Sequence, residues 1–569
     1  MHTQYPEMIL YNGKITTLDT QRPEVSAIAI ANGCVLAIGS DDEIKSLAGT
    51  DTKIIDLKQR RTIPGLNDSH LHAIRGGLNY TMELRWDGVP SLAQAMNMLK
   101  EQVARTPAGQ WVRVVGGWSE FQFSEKRMPT LAEINAITTD IPIFILHLYD
   151  RAFLNTAALK AVGYTKDTPD PAGALIERDT DGNPTGLIIA QPNAGILYAT
   201  LAKGPKLSTV DQINSTQNFM RELNRFGLTS CIDAGGGSQN YPEDYHVIET
   251  LHKNKQLTLR IAYNLFTQKP LHELADFEQW STTITPYSGD SMYRLNGAGE
   301  MLLFSAADFE DFLYEKPTLA VDMEQHLKEI IRLLVKHRWP FRVHATYNET
   351  IERMLSVLEE VNQEMSFNNL RWFLDHVETI TEHNLKRIKT LGGAIAIQNR
   401  MAYQGEYFIE RYGKQAAATT PPIRTMIDLG ITVGAGTDGT RVASYNPWIS
   451  LYWLVTGKTV GGTSLYDKDN IVSRLQALQL YTIGSAHLSA EETCKGSLSV
   501  GMYADMAVLS QDYFAVAQED IKNMYSVLTI VDGKAVYATQ EFASLDHNRD
   551  LPVSPDWSPV KYYGGYYKL

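Results

Sequence analysis

The chain has 569 residues, 44% of them hydrophobic, and a net charge of −13 at pH 7. This length allows a large core and more than one structural unit. The acidic balance excludes a general nucleic-acid-binding surface, and no apolar run is long enough to cross a bilayer, so we expect neither nucleic acid nor membrane as a partner. The N-terminus lacks the basic and apolar regions of a signal peptide, which predicts a cytoplasmic protein.

Both ends of the chain have the pattern of short strands joined by tight turns. Asn12-Gly13 and Asn32-Gly33 are hairpin signals near the N-terminus, and Asp532-Gly533 is a similar signal near the C-terminus. We therefore predict one small β-sandwich built from both termini, residues 1–62 and 490–569.

Between these ends, residues 63–489 alternate short apolar strands with helical patterns, which predicts a parallel sheet. One example is Thr346-x-x-Glu349, a capping-box pattern that predicts a helix start after a strand. Eight strands are predicted, the number that a closed (β/α)₈ TIM barrel requires. An open doubly wound sheet is the alternative, but it would gather residues from strands 1, 5, 6 and 8 less readily. The predicted strands are Leu66–His72, Leu228–Asp233, Leu257–Leu265, Tyr293–Leu303, Phe341–Ala345, Trp372–His376, Ala394–Gln398 and Ile431–Thr437.

The first two predicted barrel strands are separated by about 150 residues, too many for one loop. We predict an α/β sub-domain inserted at residues 80–225, at the mouth where barrel active sites form. Trp118 within it is a candidate substrate contact, although it could equally belong to the insertion's own core. His147, at the end of an apolar run in the same segment, is a further candidate for substrate binding.

The tripeptide His70-Leu71-His72 is the strongest functional signal in the sequence. On a strand, residues i and i+2 point to the same side, so both imidazoles face one direction. His344, His376 and Asp438 stand at the ends of later predicted strands. Any one of these histidines alone would more often be a core residue, but together they predict a divalent-metal site.

The chemistry of such a site is hydrolytic. Metal-bound water ionises near pH 7 and supplies a hydroxide nucleophile. Asp438, at the end of the last predicted strand, is the expected general base, because a carboxylate beside that water can take its proton and return it to the leaving group. The residues thus predict a hydrolase acting on an amide, a cyclic amidine or a similar electrophilic carbon.

Several motifs carry a resemblance to a known family. The segment Pro64-Gly-Leu-Asn-Asp-Ser-His-Leu-His72 and the closing segment Lys495-Gly-Ser-Leu-Ser-Val-Gly-Met-Tyr-Ala-Asp505 resemble those of the amidohydrolase superfamily, within it the amidohydrolase family 3 group that includes N-substituted formamide deformylases. Internal landmarks such as Gly117-Trp118 and Asp375-His376 are similar to that group too. The resemblance implies five metal ligands, with Asp438 also the general base: His70, His72, His344, His376 and Asp438.

The sequence departs from the family pattern at two places. Where many relatives carry a strand-4 lysine that is carboxylated and bridges two metals, this chain has Arg294, which stays protonated and cannot be a ligand. Glu300 is a candidate replacement for the bridge, but we favour one ion over two. Where relatives often have Asp-Gly-His, this chain has Asp150-Arg151, which makes Arg151 a candidate anchor for a substrate carbonyl or carboxylate.

The sequence therefore predicts a metal-dependent hydrolase of non-peptide C–N bonds, with an N-substituted formamide or related amide as substrate. A deaminase of a heterocyclic amine or amidine and a catalytically silent scaffold are the alternatives. Zn²⁺ is the expected metal, with Fe²⁺ or Mn²⁺ as substitutes, the expected partner is a small molecule, and a homodimer is a candidate assembly. The candidate substrate-binding residues are Trp118, His147, Arg151, Arg294 and Gln398.

Overall fold

The computed structural model describes residues 5–191, 193–236, 239–309, 311–547 and 550–567. Its centre is a sheet of eight parallel strands in which each strand pairs with the next one along the chain. Four strands have the predicted limits, and the others differ by one to five residues at one end or both. The strands are Leu66–Leu71, Leu228–Asp233, Arg260–Leu265, Tyr293–Ala298, Phe341–Ala345, Trp372–His376, Ala394–Gln398 and Val433–Gly436.

Backbone hydrogen bonds bring the ends of this sheet together. Asp438 N donates to His70 O at 2.8 Å, and His72 N donates to Gly439 O at 3.0 Å. The predicted TIM barrel is therefore confirmed, and its closure places the carboxyl ends of strands 1 and 8 side by side.

Amphipathic helices surround the barrel. Met323–Lys336 buries Leu327, Ile330, Ile331 and Leu334, as its 3.6-residue period predicts. Each such side chain contributes about 1.5–3 kcal/mol when fully buried. The helices outside the two added domains are Ala73–Asn79, Thr209–Arg225, His246–Lys253, Glu273–Thr283, Met323–Lys336, Asn348–Glu364, Glu382–Thr390, Arg400–Tyr412, Lys414–Ala417, Ile423–Asp428, Pro447–Thr456, Arg474–Gln479 and Ser485–Leu488.

The capping box predicted at Thr346 is wrong. The helix begins at Asn348, and its N-cap residue Tyr347 makes no side-chain capping bond. The backbone N–H groups of Thr346 and Tyr347 instead donate to the carboxylate of Asp308, which comes from the preceding loop. A tertiary partner thus replaces the local one and ties this loop to the carboxyl end of strand 5.

The two termini build two facing sheets. Strand Arg61–Pro64 from the N-terminal segment pairs with Met506–Leu509 from the C-terminal segment. Leu10 and Ile28 of one sheet pack with residues of the other in one hydrophobic cluster, and Asp41–Lys45 is a short helix beside them. The sheets comprise Cys34–Gly39, Ala27–Ala31, Met8–Tyr11 and Lys53–Asp56, and Lys534–Ala538, Ser526–Val531, Met506–Leu509, Arg61–Pro64, Lys14–Thr16 and Glu24–Val25.

The segment between barrel strands 1 and 2 contains a six-stranded sheet of its own. Helix Thr209–Arg225, which the sequence analysis assigned to the insertion, packs on helix Ala73–Asn79 through the Ser215–Gly77 hydrogen bond and is part of the barrel wall. The strands are Ala174–Arg178, Pro184–Ala190, Arg151–Leu154, Ile143–His147, Val112–Val114 and Glu83–Leu84, with helices Leu92–Arg105, Leu131–Asn135, Thr156–Val162 and Gly195–Leu201.

The C-terminal tail departs from the predicted sandwich. Helix Pro559–Tyr563 lies against the insertion, where Tyr563 Oη donates to Glu101 Oε2 at 2.6 Å and Gln94 Nε2 donates to Tyr567 Oη at 2.7 Å. The remaining domain limits stay predictions. Within the described ranges, no helix is both long and apolar enough to cross a membrane.

Candidate metal centre

Six buried side chains meet at the carboxyl ends of the barrel strands. Their nitrogen and oxygen atoms form three overlapping groups, each of which could hold a metal ion. All five predicted ligands are in the cluster, as is the candidate bridging carboxylate. The six residues are His70, His72, Glu300, His344, His376 and Asp438.

Glu300 lies at the centre and faces two pairs of histidines with its two oxygens. Its Oε1 is 3.4 Å from His70 Nε2 and 3.9 Å from His72 Nε2. Its Oε2 is 3.1 Å from both His344 Nδ1 and His376 Nε2. Glu300 therefore joins the strand-1 ligands to those of strands 5 and 6.

The orientation of His70 is fixed from behind. Its Nδ1 lies 2.9 Å from Asp375 Oδ1 and 2.7 Å from Arg342 Nη2, so its Nε2 is the nitrogen that faces the cluster. Asp375 in turn accepts a hydrogen bond from Arg342 Nε at 2.8 Å and a second one from Arg342 Nη2, and Arg342 Nη1 donates to Ser69 O. This chain holds the imidazole as outer hydrogen-bonding partners hold metal-binding histidines.

His72 and Asp438 are held in a similar way. His72 Nδ1 donates to the carbonyl of Gly235, which leaves its Nε2 facing Asp438 Oδ1 at 2.9 Å. Asp438 Oδ2 accepts from Arg400 Nη2 at 2.5 Å. Only Oδ1 of this carboxylate is thus directed at the histidines.

The strand-6 ligand has a different support. Gln398 Oε1 accepts from the backbone N–H of His376 at 2.8 Å, and Gln398 Nε2 donates to Ala396 O at 3.0 Å. His376 has φ of +73° and Asp438 has φ of +53°, a conformation that is uncommon for such residues and is often found at functional sites. Gln398 thus supports the backbone of His376, and its role as a substrate contact stays a prediction.

The electrostatics of the cluster favour a cation. Burial lowers the pKa of His70, but Glu300, Asp375 and Asp438 outweigh burial and raise it to about 10. Burial opposes ionisation of Glu300, yet His70, His344 and His376 hold the pKa of this carboxyl well below its usual range. The pKa of Asp438 is also lowered, because the charges of His70 and Arg400 outweigh its burial.

The donor set fits a divalent metal ion. Among the described residues, the buried His70 Nε2 and His376 Nδ1 have no hydrogen-bond partner. Tetrahedral zinc sites with bonds of 2.0–2.1 Å place neighbouring ligand atoms roughly 3.4 Å apart. The 3.4 Å and 3.6 Å separations of His70 Nε2 from Glu300 Oε1 and Asp438 Oδ1 match this spacing. Imidazole and carboxylate are also the ligands expected for zinc, iron or manganese.

Arg294 is not in this cluster. It stands at the second position of strand 4, the amino end, where its side chain lies 3.8 Å from Glu491 and over the ring of Tyr287. The interpretation of Arg294 as the replacement for a bridging lysine and as a substrate contact was wrong. The strand ends at Ala298, five residues before its predicted end, and the residue that reaches the centre is Glu300.

The predicted substrate residues of the insertion form a network of their own. Trp118 is fully buried against Trp86 and Phe123, and its indole N–H donates to Leu146 O, so it belongs to the core of the insertion. The substrate-lining role expected of Trp118 is therefore wrong. Its ring also touches the edge of His147, with centroids 4.9 Å apart.

His147 is held between two carboxylates. Its Nε2 lies 3.1 Å from Glu120 Oε2, and its Nδ1 is bonded to Asp150, which also pairs with Arg151 Nε. Burial lowers the pKa of His147, but Asp150 and Glu120 outweigh burial and raise it to about 9. His147 and Arg151 are thus held in a charged network that contains none of the six metal-cluster residues. Their substrate roles stay predictions.

Two supporting residues escaped the sequence analysis. Arg342 precedes His344 by two positions on one strand, so the alternation of side chains places both on the same face. That spacing could have identified it. Arg400 begins the helix after strand 7, and no local pattern links it to Asp438.

Comparison with known proteins agrees with this geometry. A family model described as "Amidohydrolase family" matches residues 53–537. The chain belongs to this family. N-substituted formamide deformylase from Arthrobacter pascens is 24% identical over 556 residues, covering 94% of this chain and 99% of that protein.

Two solved structures share the fold of this amidohydrolase. An uncharacterized metal-dependent hydrolase from Pyrococcus furiosus has a TM-score of 0.64 at 22% identity, covering 89% of this chain and 99% of its own. A variant of atrazine chlorohydrolase TrzN from Arthrobacter aurescens TC1, complexed with zinc and atraton, has a TM-score of 0.52 at 14% identity, covering 95% and 98%. The chain thus belongs to the amidohydrolase family and shares the fold of these two hydrolases.

Proposed function

We propose that this amidohydrolase cleaves a non-peptide C–N bond of an N-substituted formamide or related small amide, giving a carboxylate and an amine. The observation that carries the proposal is the convergence of four imidazoles and two carboxylates at one end of the barrel. The similarity to N-substituted formamide deformylase along nearly the whole of both chains supports the substrate class.

The protein groups support a simple division of labour. A bound divalent ion would polarise the amide carbonyl and lower the pKa of water. Asp438 Oδ1 accepts a proton from the attacking water and delivers it to the leaving nitrogen, while Arg400 holds Oδ2 in place. One water is consumed, the C–N bond breaks, and the amine leaves with the proton.

We propose Zn²⁺ as the metal, with Fe²⁺ or Mn²⁺ as possible substitutes in the same donor set. The expectation of a single ion rested on Arg294 standing at the bridging position, and Arg294 lies at the other end of its strand. The two-sided contacts of Glu300 support two ions: His70, His72 and Asp438 would hold one, His344 and His376 the other, and Glu300 would join them. A cytoplasmic location and a homodimer remain predictions.

The test is product analysis on metal-loaded protein with a panel of N-substituted formamides, other small amides and heterocyclic amines. Formate or another carboxylate with a stoichiometric amine supports the proposal, whereas ammonia from a ring substrate supports the deaminase. Asp438→Asn should abolish turnover and retain the metal. The control Asp428→Asn makes the same chemical change at an exposed position on the preceding helix. It should change neither turnover nor metal content. A wild-type protein that keeps its metal and turns over nothing would favour the silent scaffold.

A further inference from the structure

Two buried arginines near the metal ligands make no close ion pair in the described part of the chain. Arg75 and Arg441 are only 7% and 8% exposed. Across the described ranges, neither guanidinium has a hydrogen bond or an ion pair, and both instead lie against the ring of Tyr198, at 5.8 Å and 4.7 Å from its centroid. Buried charges are ordinarily paired, because removing an ion from water is costly.

Their positions tie both arginines to the metal ligands. Arg75 lies one helical turn after His72, and Arg441 lies three residues after Asp438. Strands 1 and 8 are adjacent, so the two side chains reach the same part of the barrel mouth.

Both arginines line one cavity of about 130 Å³. Gln239 lines it too, is 5% exposed, and has no hydrogen-bond partner for either side-chain atom in the described part of the chain. A third unpaired hydrogen-bonding group therefore faces the same space. The guanidinium of Arg75 packs directly against Gly236, where a Cβ would lie 2.8 Å from Arg75 Nη1.

Glu83 also lines this cavity, and its Oε2 accepts from Arg85 Nη2 at 2.5 Å. Its charge also acts on Arg441, Arg113 and Arg75, so four arginines share this one carboxylate. Arg113, on the same wall, adds a further positive charge and is bonded to the carbonyl of Pro205. Burial and the charge of Arg75 lower the pKa of Arg441 to about 10, so Arg441 stays cationic at neutral pH.

We propose that Arg75, Arg441 and Gln239 bind a carboxylate group of the substrate, so that the preferred substrate is an N-acylated amino acid or a similar anionic amide. Planar guanidinium groups suit a carboxylate through paired hydrogen bonds, and Gln239 Nε2 supplies one more donor. This inference rests on the proposed amide hydrolysis for its choice of substrate, but the anion site itself does not. Arg151, the anchor suggested by the sequence, is already paired with Asp150 and is not needed for this role.

The experiment compares acids with uncharged amides of the same length. N-formylglycine, N-formyl-β-alanine and N-formyl-4-aminobutyrate are each assayed beside the N-alkylformamide of equal chain length. We expect the best acid to exceed its uncharged counterpart at least about tenfold in kcat/KM. Arg75→Gln and Arg441→Gln should lower kcat/KM for that acid about 10- to 100-fold, the range for hydrogen bonds to a charged group, and leave the uncharged amides within about twofold.

Three controls keep the result interpretable. Arg127→Gln removes an equal charge from an exposed arginine paired with Glu133 and should change neither substrate class. Arg441→Lys keeps the charge and should retain part of the preference. Because Arg75 and Arg441 are unpaired, their glutamine variants should also unfold no earlier than the wild type, whereas structural arginines would lose stability.

Binding separates this inference from the proposed function. Calorimetric titration of metal-loaded Asp438→Asn with the three N-formyl acids measures affinity without turnover. Acid binding that disappears in Asp438→Asn/Arg441→Gln supports the anion site, even if no amide is hydrolysed. The proposal is overturned if acids and uncharged amides bind or react alike, if acid binding survives both arginine substitutions, or if no acid in the series binds at millimolar concentration.

Discussion

Two pairs of buried arginines near the metal ligands differ in their partners. Arg342 pairs with Asp375, which in turn contacts the candidate ligand His70. Arg400 pairs directly with Asp438, which is itself a candidate ligand. Arg75 and Arg441 are also buried but make no ion pair with a carboxylate in the described residues. The difference separates two uses of a buried cation: one pair completes the protein's own site, and the other is arranged for a charge that the protein does not supply.

The largest expected effect is on the site that the first pair supports. His70→Ala/His72→Ala removes both strand-1 ligands and should strip metal from that half of the cluster. Turnover should then fall at least about 10⁴-fold, equivalent to about 5.5 kcal/mol of barrier. Metal analysis and kcat/KM measure the two effects. The control is His252→Ala/His326→Ala, which removes two histidines that are more exposed than His70 and His72. A His70→Ala/His72→Ala variant that keeps its metal and its activity would contradict the site assignment.

Breaking the first pair should cost stability. Arg342→Met leaves Asp375 buried without its cation and should lower the free energy of unfolding by about 3–5 kcal/mol. Arg332→Met, which breaks an exposed pair with Glu364, should cost much less, because water and salt screen that pair. Denaturant midpoints compare the two variants. Equal midpoints would mean that the Arg342–Asp375 contact does not stabilise the barrel.

A buried carboxylate in the insertion gives a pH-dependent contrast. Burial raises the pKa of Asp87 to about 6 despite the charge of Arg85, above its unfolded value of about 3.9. The folded state therefore holds a proton that the unfolded state releases between about pH 4 and pH 6, and this contribution to stability is lost as pH rises through that window. Asp87→Asn should stabilise the protein relative to wild type by about 1–3 kcal/mol at pH 7.5 and by much less at pH 4.5. A difference independent of pH would remove Asp87 as the cause.

The smallest effect is expected from the second pair of arginines. Arg441→Gln removes a buried charge that lacks an anion, so the free energy of unfolding should stay the same or rise by about 1 kcal/mol. Thermal melts of this variant beside Arg342→Met measure the contrast directly. A loss of stability like that of Arg342→Met would make Arg441 structural and end the distinction between the pairs.

Much of the barrel could be predicted, because its signals are local. Strands such as Phe341–Ala345 and Trp372–His376 are short apolar runs that end in a histidine or just after one, and both were predicted with the limits that the structure has. In a closed barrel the ends of strands 1, 5, 6 and 8 converge, so the sequence alone could predict that the candidate ligands lie together.

The remaining features depend on tertiary geometry. The end of strand 4 could not be predicted correctly. The apolar residues after Glu300 continue the strand pattern in the sequence, but the backbone leaves the sheet at Ala298. The misplacement of Arg294 has another cause: the family motif was matched to the amino end of the strand, whereas the residue that reaches the centre is Glu300. The sequence also cannot show that Arg75 and Arg441 lack an ion pair, because ion pairing depends on which carboxylates the fold brings close to them.

The metal content of wild type and Glu300→Gln, measured per chain by plasma mass spectrometry after purification without added metal or chelator, tests the central claim most directly. We expect about two divalent ions in the wild type and a loss of at least one in Glu300→Gln, because Glu300 contacts both pairs of histidines. A wild type with a single ion that Glu300→Gln leaves undisturbed would contradict the bridging role. A wild type that takes up no metal, even after reconstitution, would contradict the metal centre itself.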